Sequence, residues 1–167
     1  MTKRFFHLVS LTLLVFSLGA CTFEGSFQGR VDIDLPPNFS VSNAEYTTNH
    51  GNSNGDFEIC SNLTTKLTYE FNFSGGNVSW IEYLKFYDIN GTFVGSFTPQ
   101  AINVEEQTSN YIRVSFDIPP SVVPLNALES QAIDIKVGTA RFFLEFQNTN
   151  KPYQLIADPI NVISNCE

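Results

Sequence analysis

Apolar and polar residues alternate with a period of two along most of this chain, the signature of half-buried β-strands. From Phe27 to Leu35 the odd positions are Phe27, Gly29, Val31, Ile33 and Leu35, and the even ones are Gln28, Arg30, Asp32 and Asp34. Pro36-Pro37 ends that run. The clearest strand sets Leu63, Thr65, Leu67, Tyr69, Phe71 and Phe73 against Thr64, Lys66, Thr68, Glu70 and Asn72. After a turn at Ser74-Gly75-Gly76-Asn77, the run Val78 to Ile89 is apolar on both faces. Leu84 and Phe86 share one face with Trp80; Ile81, Tyr83, Tyr87 and Ile89 share the other. Asn90-Gly91 reads as a tight turn, and Phe93 to Phe97 returns as the second arm of a hairpin. Tyr111 to Ile118 turns Ile112, Val114, Phe116 and Ile118 inward and ends at Pro119-Pro120. Two further strands, Ala132 to Val137 and Ala140 to Gln147, are split at Gly138-Thr139. A last run, Tyr153 to Ile163, is interrupted at Asp158-Pro159.

The segments between these runs are polar. Asn38 to Asp56 reads as loop, with a short extended piece around Phe39 and Val41. Ala101 to Val104 pairs briefly, Glu105 to Asn110 is a turn, and Pro124 to Glu129 is the one stretch suited to a turn or two of helix. About seven to nine short strands with Gly, Pro and Asn punctuation predict an all-β fold, an antiparallel β-sandwich. It is loosely immunoglobulin-like, because the Trp80 strand begins about 20 residues after Cys60. Cys166 stands at the end of the chain, away from the penultimate strand where that pattern would place it.

The N-terminus carries a different signal. Lys3 and Arg4 give a positive start, Leu8 to Leu18 is a short apolar run, and Gly19 and Ala20 precede Cys21. This is the layout of a secretory leader, too short for a spanning helix of about 20 residues. Leu18-Gly19-Ala20-Cys21 resembles the lipobox of bacterial lipoproteins. An ordinary signal peptidase would want a small residue where Leu18 stands. The resemblance implies cleavage before Cys21 and diacylglyceryl and acyl chains on that cysteine. It divides the chain into a signal peptide (1–20), a lipidated tether (21–26) and one sandwich domain (27–167). Several acyl chains hold a protein on a bilayer far more firmly than one. Thr22, following the lipidated cysteine, resembles signals that do not retain a lipoprotein at the inner membrane. The expected location is therefore the cell envelope, at the outer membrane or cell surface.

Removal of 20 of the 167 residues leaves 147, enough for one domain with a sizeable core. Lys3 and Arg4 leave with the leader, so 7 basic residues face 17 acidic ones, a net charge of −10. That balance argues against nucleic acid as a partner, since phosphate is met by clustered Lys and Arg. With Cys21 lipidated, Cys60 and Cys166 remain as an even pair in an oxidising compartment, and a disulfide between them is expected. The five Asn-x-Ser/Thr sites, at Asn38, Asn62, Asn72, Asn77 and Asn90, are coincidental in such a protein.

Candidate chemistry is sparse. Gly51-Asn52-Ser53-Asn54-Gly55 spells a hydrolase-like G-x-S-x-G, but no apolar strand leads in and no helix follows. His50, the one histidine left after the leader, precedes Ser53, so no downstream base exists. Asp32 and Asp34 share a strand face but read as a solvated edge, and Glu105-Glu106 would point to opposite faces. Asn52, Asn54 and Asp56 only faintly resemble a calcium loop. No cofactor and no metal are expected, and the protein is not read as an enzyme; a carbohydrate-active or hydrolytic enzyme is the weakest alternative. Tyr83, Tyr87 and Phe143 form the candidate binding face. Either they belong to a central sheet covered on both sides, or they form an exposed patch for a glycan, peptide or protein. The expected function is a lipid-anchored, non-catalytic binding or interaction module. The alternative is a structural or accessory subunit of an envelope complex.

Overall fold

The structure, a computed structural model, describes residues 25–30 as backbone and residues 39–52, 55–75, 79–124, 135–147, 153–164 and 166 with side chains. The leader, Cys21, Asp32, Asp34, Ser53, Asn54 and all but the first residue of the expected helical turn lie outside these residues. The elements are β1 (Gly25–Arg30), β2 (Ser40–Thr48), β3 (Glu58–Cys60), β4 (Thr65–Ser74), β5 (Trp80–Asp88), β6 (Phe93–Phe97), β7 (Asn103–Gln107), β8 (Tyr111–Ile118), a 3-10 turn (Pro120–Val122), β9 (Ile135–Phe146), β10 (Tyr153–Ala157) and β11 (Ile160–Ser164).

Eleven strands are described because backbone ladders extend into segments with little apolar alternation. β2 is a nine-residue strand where sequence suggested mostly loop. It pairs antiparallel with β4 from Ser40–Ser74 to Thr48–Leu67, with a bulge between Ser42 and Glu45. Asn43 takes up that bulge with φ of 50°, a region Asn tolerates better than most residues. Phe39 just before the strand and Tyr46 within it are buried and hold it down. β7 forms where a brief pairing and a polar turn were expected, along the edge of β8. β9 is one strand of twelve residues, unbroken at Gly138. Gly138 is flanked on both sides, by Asp88 of β5 and Val162 of β11, so its backbone stays in the ladder. β1 begins at Gly25, within the stretch read as tether.

The strands form two sheets. One runs β2–β4–β8–β7; the other runs β6–β5–β9, with β10 and β11 end to end along the far edge of β9 and β3 parallel beside β11. β1 joins them: Gly25 and Ser26 pair with β2, and Phe27 to Arg30 pair with β10. In chain order this is the A–B–E–D sheet opposite the C′–C–F–G sheet of an immunoglobulin-like sandwich.

The core is aromatic. Leu67, Tyr69 and Phe71 of β4 and Ile112, Val114, Phe116 and Ile118 of β8 face Leu84, Phe86, Phe142, Leu144 and Phe146 of the second sheet. Tyr69 and Phe142 lie 5.3 Å apart, ring centre to ring centre, and Phe116 and Phe142 lie 5.8 Å apart. Phe71 of β4 meets Phe146 of β9 edge to face at 5.3 Å, with Trp80 against Phe71 at 5.5 Å. In antibody domains a disulfide joins these two strands under the tryptophan; here an aromatic contact stands in that place. The disulfide lies elsewhere. Cys60 in β3 is bonded to Cys166 beyond β11, with Cα atoms 5.8 Å apart.

Candidate functional site

The candidate face is built by the alternation of β5 and β9. Their inward residues fill the core, so Ile81, Tyr83, Lys85 and Tyr87 of β5 and Arg141, Phe143 and Glu145 of β9 share the outer surface of the second sheet. Ladder pairing sets Tyr83 opposite Phe143 and Lys85 opposite Arg141. The structure brings Tyr83 and Phe143 together as a parallel stack, centroids 4.9 Å apart. Lys85 Nζ lies over both rings, 5.0 Å from the centre of Phe143 and 5.6 Å from that of Tyr83. Gln154 of β10 donates from its amide to the Tyr83 hydroxyl and, at 3.4 Å, to the Glu145 carboxylate. Burial, with the Glu145 charge adding to it, pushes the Tyr83 hydroxyl above its ordinary pKa.

Exposure separates the three expected residues. Phe143 is only 6% exposed, under Tyr83 and Lys85, whereas Tyr83 and Tyr87 are half-buried. Tyr87 touches the ring of Phe93 on β6 at 6.1 Å. Phe93 is 55% exposed and Ile81 44%, so apolar surface flanks the stack at both ends. Phe143 is therefore a support for the face and not part of its contact surface.

The cations were missed in the sequence. Lys85 and Arg141 stand directly opposite each other, and like charges in such cross-strand pairs destabilise a sheet. Among the described residues neither pairs with a carboxylate. The cations of the other sheet are neutralised. Arg113 Nη1 meets Glu70 at 2.8 Å and its Nε meets Glu105 at 3.2 Å, while Lys66 meets Glu105 at 2.8 Å. The hydrogen bonds from Lys66 and Ser115, with that from Arg113, hold the Glu105 carboxyl down to about 2. The available signal was the strand register, which places residues 85 and 141 face to face and is not readable from either strand alone.

The described residues of the polar loop around His50 bond to one another and to β4. His50 is close enough for its Nε2 to bond the Thr64 carbonyl, at 3.3 Å, and its own carbonyl accepts from Thr48. Gly51 forms an antiparallel β-bridge with Phe57. Asn52 donates to the Asp56 carboxylate at 3.1 Å and accepts from the Asp56 N–H, so the two side chains clasp each other. Among the described residues no three His, Cys, Asp or Glu side chains gather as metal ligands, and no helix is long and apolar enough to cross a membrane.

An open cleft of about 930 Å³, also unforeseen, lies between the sheets where residues 98–102 cross from β6 to β7. Phe97, Phe116, Pro99 and Val122 line it, with Lys66 and Asp117 among its polar groups. Lys66 is already engaged by Glu105. Compared with known proteins, the chain matches no family model and resembles no curated protein significantly in sequence.

Proposed function

We propose that this chain is a lipid-anchored protein of the bacterial cell envelope, held by Cys21, whose sandwich is a non-catalytic binding module for a partner protein. The docking surface is the outer face of β6–β5–β9, around Tyr83, Tyr87, Lys85 and Arg141. One observation carries this reading. Two cations with no carboxylate partner among the described residues lie opposite each other beside half-exposed aromatic rings, in a chain with an excess of acid. Opposed like charges cost stability in the free protein, and an acidic side chain from a partner would relieve them. Apolar flanks around a charged centre suit a protein surface. A glycan would need an open aromatic platform, but the Tyr83 and Phe143 rings face each other and Lys85 lies across them.

Two experiments test this. Acyl labelling should mark the wild type and not Cys21→Ala; equal labelling would remove the anchor. Affinity capture with the intact lipoprotein should yield one stoichiometric partner, lost at least tenfold in Lys85→Glu and weakened by salt. Lys85→Glu also places a carboxylate opposite Arg141, a gain of about 0.2–1 kcal/mol that offsets the loss of the ammonium over the Tyr83 and Phe143 rings, so stability should hold while binding falls. Capture unchanged in Lys85→Glu, or glycan binding in place of a partner, would overturn the proposal.

A further inference from the structure

The two ends of the sandwich differ. One carries the start of β5 at Trp80 and the end of β9 at Phe146. The other carries the Cys60–Cys166 disulfide, the β3–β4 loop, the tip of the β5–β6 hairpin and the start of β9. β1 approaches from the disulfide end. Arg30 pairs with Gln154, close to the Trp80 end, and Phe27 pairs with Ala157, further down. Phe27 lies level with Leu84, and Gly25, which has crossed to the other sheet, pairs with Tyr46 beside Tyr69 of β4. From Tyr69 to Thr65, whose hydroxyl accepts from the Cys60 N–H at the disulfide end, is four more residues, about 13 Å at 3.3 Å each.

The tether has almost the same reach. Cys21 precedes Gly25 by four residues, and no conformation of four residues spans more than about 14 Å. An acylated Cys21 therefore reaches the level of the disulfide end only when nearly extended. Of the two ends of the domain, the disulfide end is the one within this reach.

The surface at that end is suited to the contact. Of the eight large apolar side chains exposed on the described surface, five belong there: Leu63 in the β3–β4 loop, Ile89 at the hairpin tip, Phe93 and Val94 in the row above, and Ile135 at the start of β9. Ile89 is the most exposed of the eight, at 65%. Ile81 is at the opposite end, and Ile102 and Val104 lie along the β7 side. The charged groups there include Lys136 beside Ile135 and Asp88, whose carboxylate is occupied by the Asn90 and Thr92 N–H groups. Without a cluster of cations, this end fits an uncharged lipid surface better than an anionic one.

We infer that the disulfide end of the sandwich is a membrane-contacting surface, with Ile89, Leu63 and Ile135 resting in the interface of a zwitterionic bilayer. The inference rests on the proposed lipid anchor at Cys21 and adds an orientation to it. The binding face around Tyr83 then stands upright, open to the side. The test uses the full acylated protein on phosphatidylcholine vesicles containing brominated lipid, with tryptophan fluorescence as readout. Native Trp80, at the far end, serves as internal reference. Ile89→Trp should show at least twofold quenching of the added emission, while Ile81→Trp and the wild type are unquenched. Failure of the wild type to float with the vesicles would overturn the anchor reading itself. Flotation with Ile89→Trp unquenched, or with Ile81→Trp quenched equally, would overturn the orientation and leave the anchor standing.

Discussion

Glu82 is the one charged side chain buried among the described residues, on the inward face of β5 between Trp80 and Leu84. It is tolerated because its carboxylate accepts from the Tyr69 hydroxyl at 3.1 Å, which in turn accepts from the Trp80 indole N–H at 2.7 Å. Burial pushes the Glu82 carboxyl above its ordinary pKa, and the bond from Tyr69 opposes this only in part. The sign follows from linkage. The folded state holds the proton more tightly than the unfolded one, so this contribution is complete below the unfolded pKa. It is lost as pH rises through the folded value. Glu82→Gln keeps an acceptor for Tyr69 and removes the charge. It should raise the urea midpoint at pH 7, where most point changes lower stability by about 1 kcal/mol, and the gain should shrink towards pH 4. The reverse pattern would mean that the carboxylate is needed in its ionised form. Glu105 carries the opposite sign. Its lowered carboxyl favours the folded state above the ordinary carboxylate range and loses that effect as pH falls towards about 2. Screening keeps an exposed pair of this kind small.

At the scale of the element, the β5–β6 hairpin shows how far local chemistry reaches. Asn90-Gly91 announced a turn, and one is there. Its form is set by Asp88, whose carbonyl accepts from Gly91 at 3.0 Å and whose N–H donates to the Thr92 carbonyl at 2.9 Å. Only Gly91 has positive φ, at 81°, so this is a longer loop than the two-residue turn in which both central residues are left-handed. Nothing lies within 4 Å of a methyl group added at Gly91. Gly91→Ala should therefore cost the backbone term alone, about 1–2 kcal/mol, read as a lower thermal midpoint with the sheet content intact. Loss of the hairpin itself would show that the turn organises more than its own residues. β2 marks the limit of local reading. Ser, Asn and Thr make up five of its nine residues, and pairing with β4 and β1 makes Ser40–Thr48 a strand.

For the molecule as a whole, the bond between Cys60 and Cys166 closes a loop over a sequence separation of 106 residues, nearly the entire sandwich. β3 and β11 already pair in parallel beside it, so the disulfide fastens an edge that the ladder positions. Cys60→Ala with Cys166→Ala should lower the unfolding free energy by about 2–5 kcal/mol, measured by denaturant titration, with the fold retained. A smaller loss would mean that the β3–β11 pairing holds this edge without the covalent link. The sequence by itself determined the class of fold, the aromatic core, the long strands β4, β5 and β8 and the Cys60–Cys166 pair. The first three are written in two-residue alternation; the cysteine pair was expected from the count left once Cys21 is read as lipidated. Beyond the β5–β6 hairpin, only the tertiary structure decided which strands neighbour one another. With that came the A–B–E–D and C′–C–F–G order, the continuity of β9 past Gly138, the burial of Phe143 and the meeting of Lys85 with Arg141. Those depend on register between segments far apart in the chain, and alternation within a strand carries no record of the strand beside it.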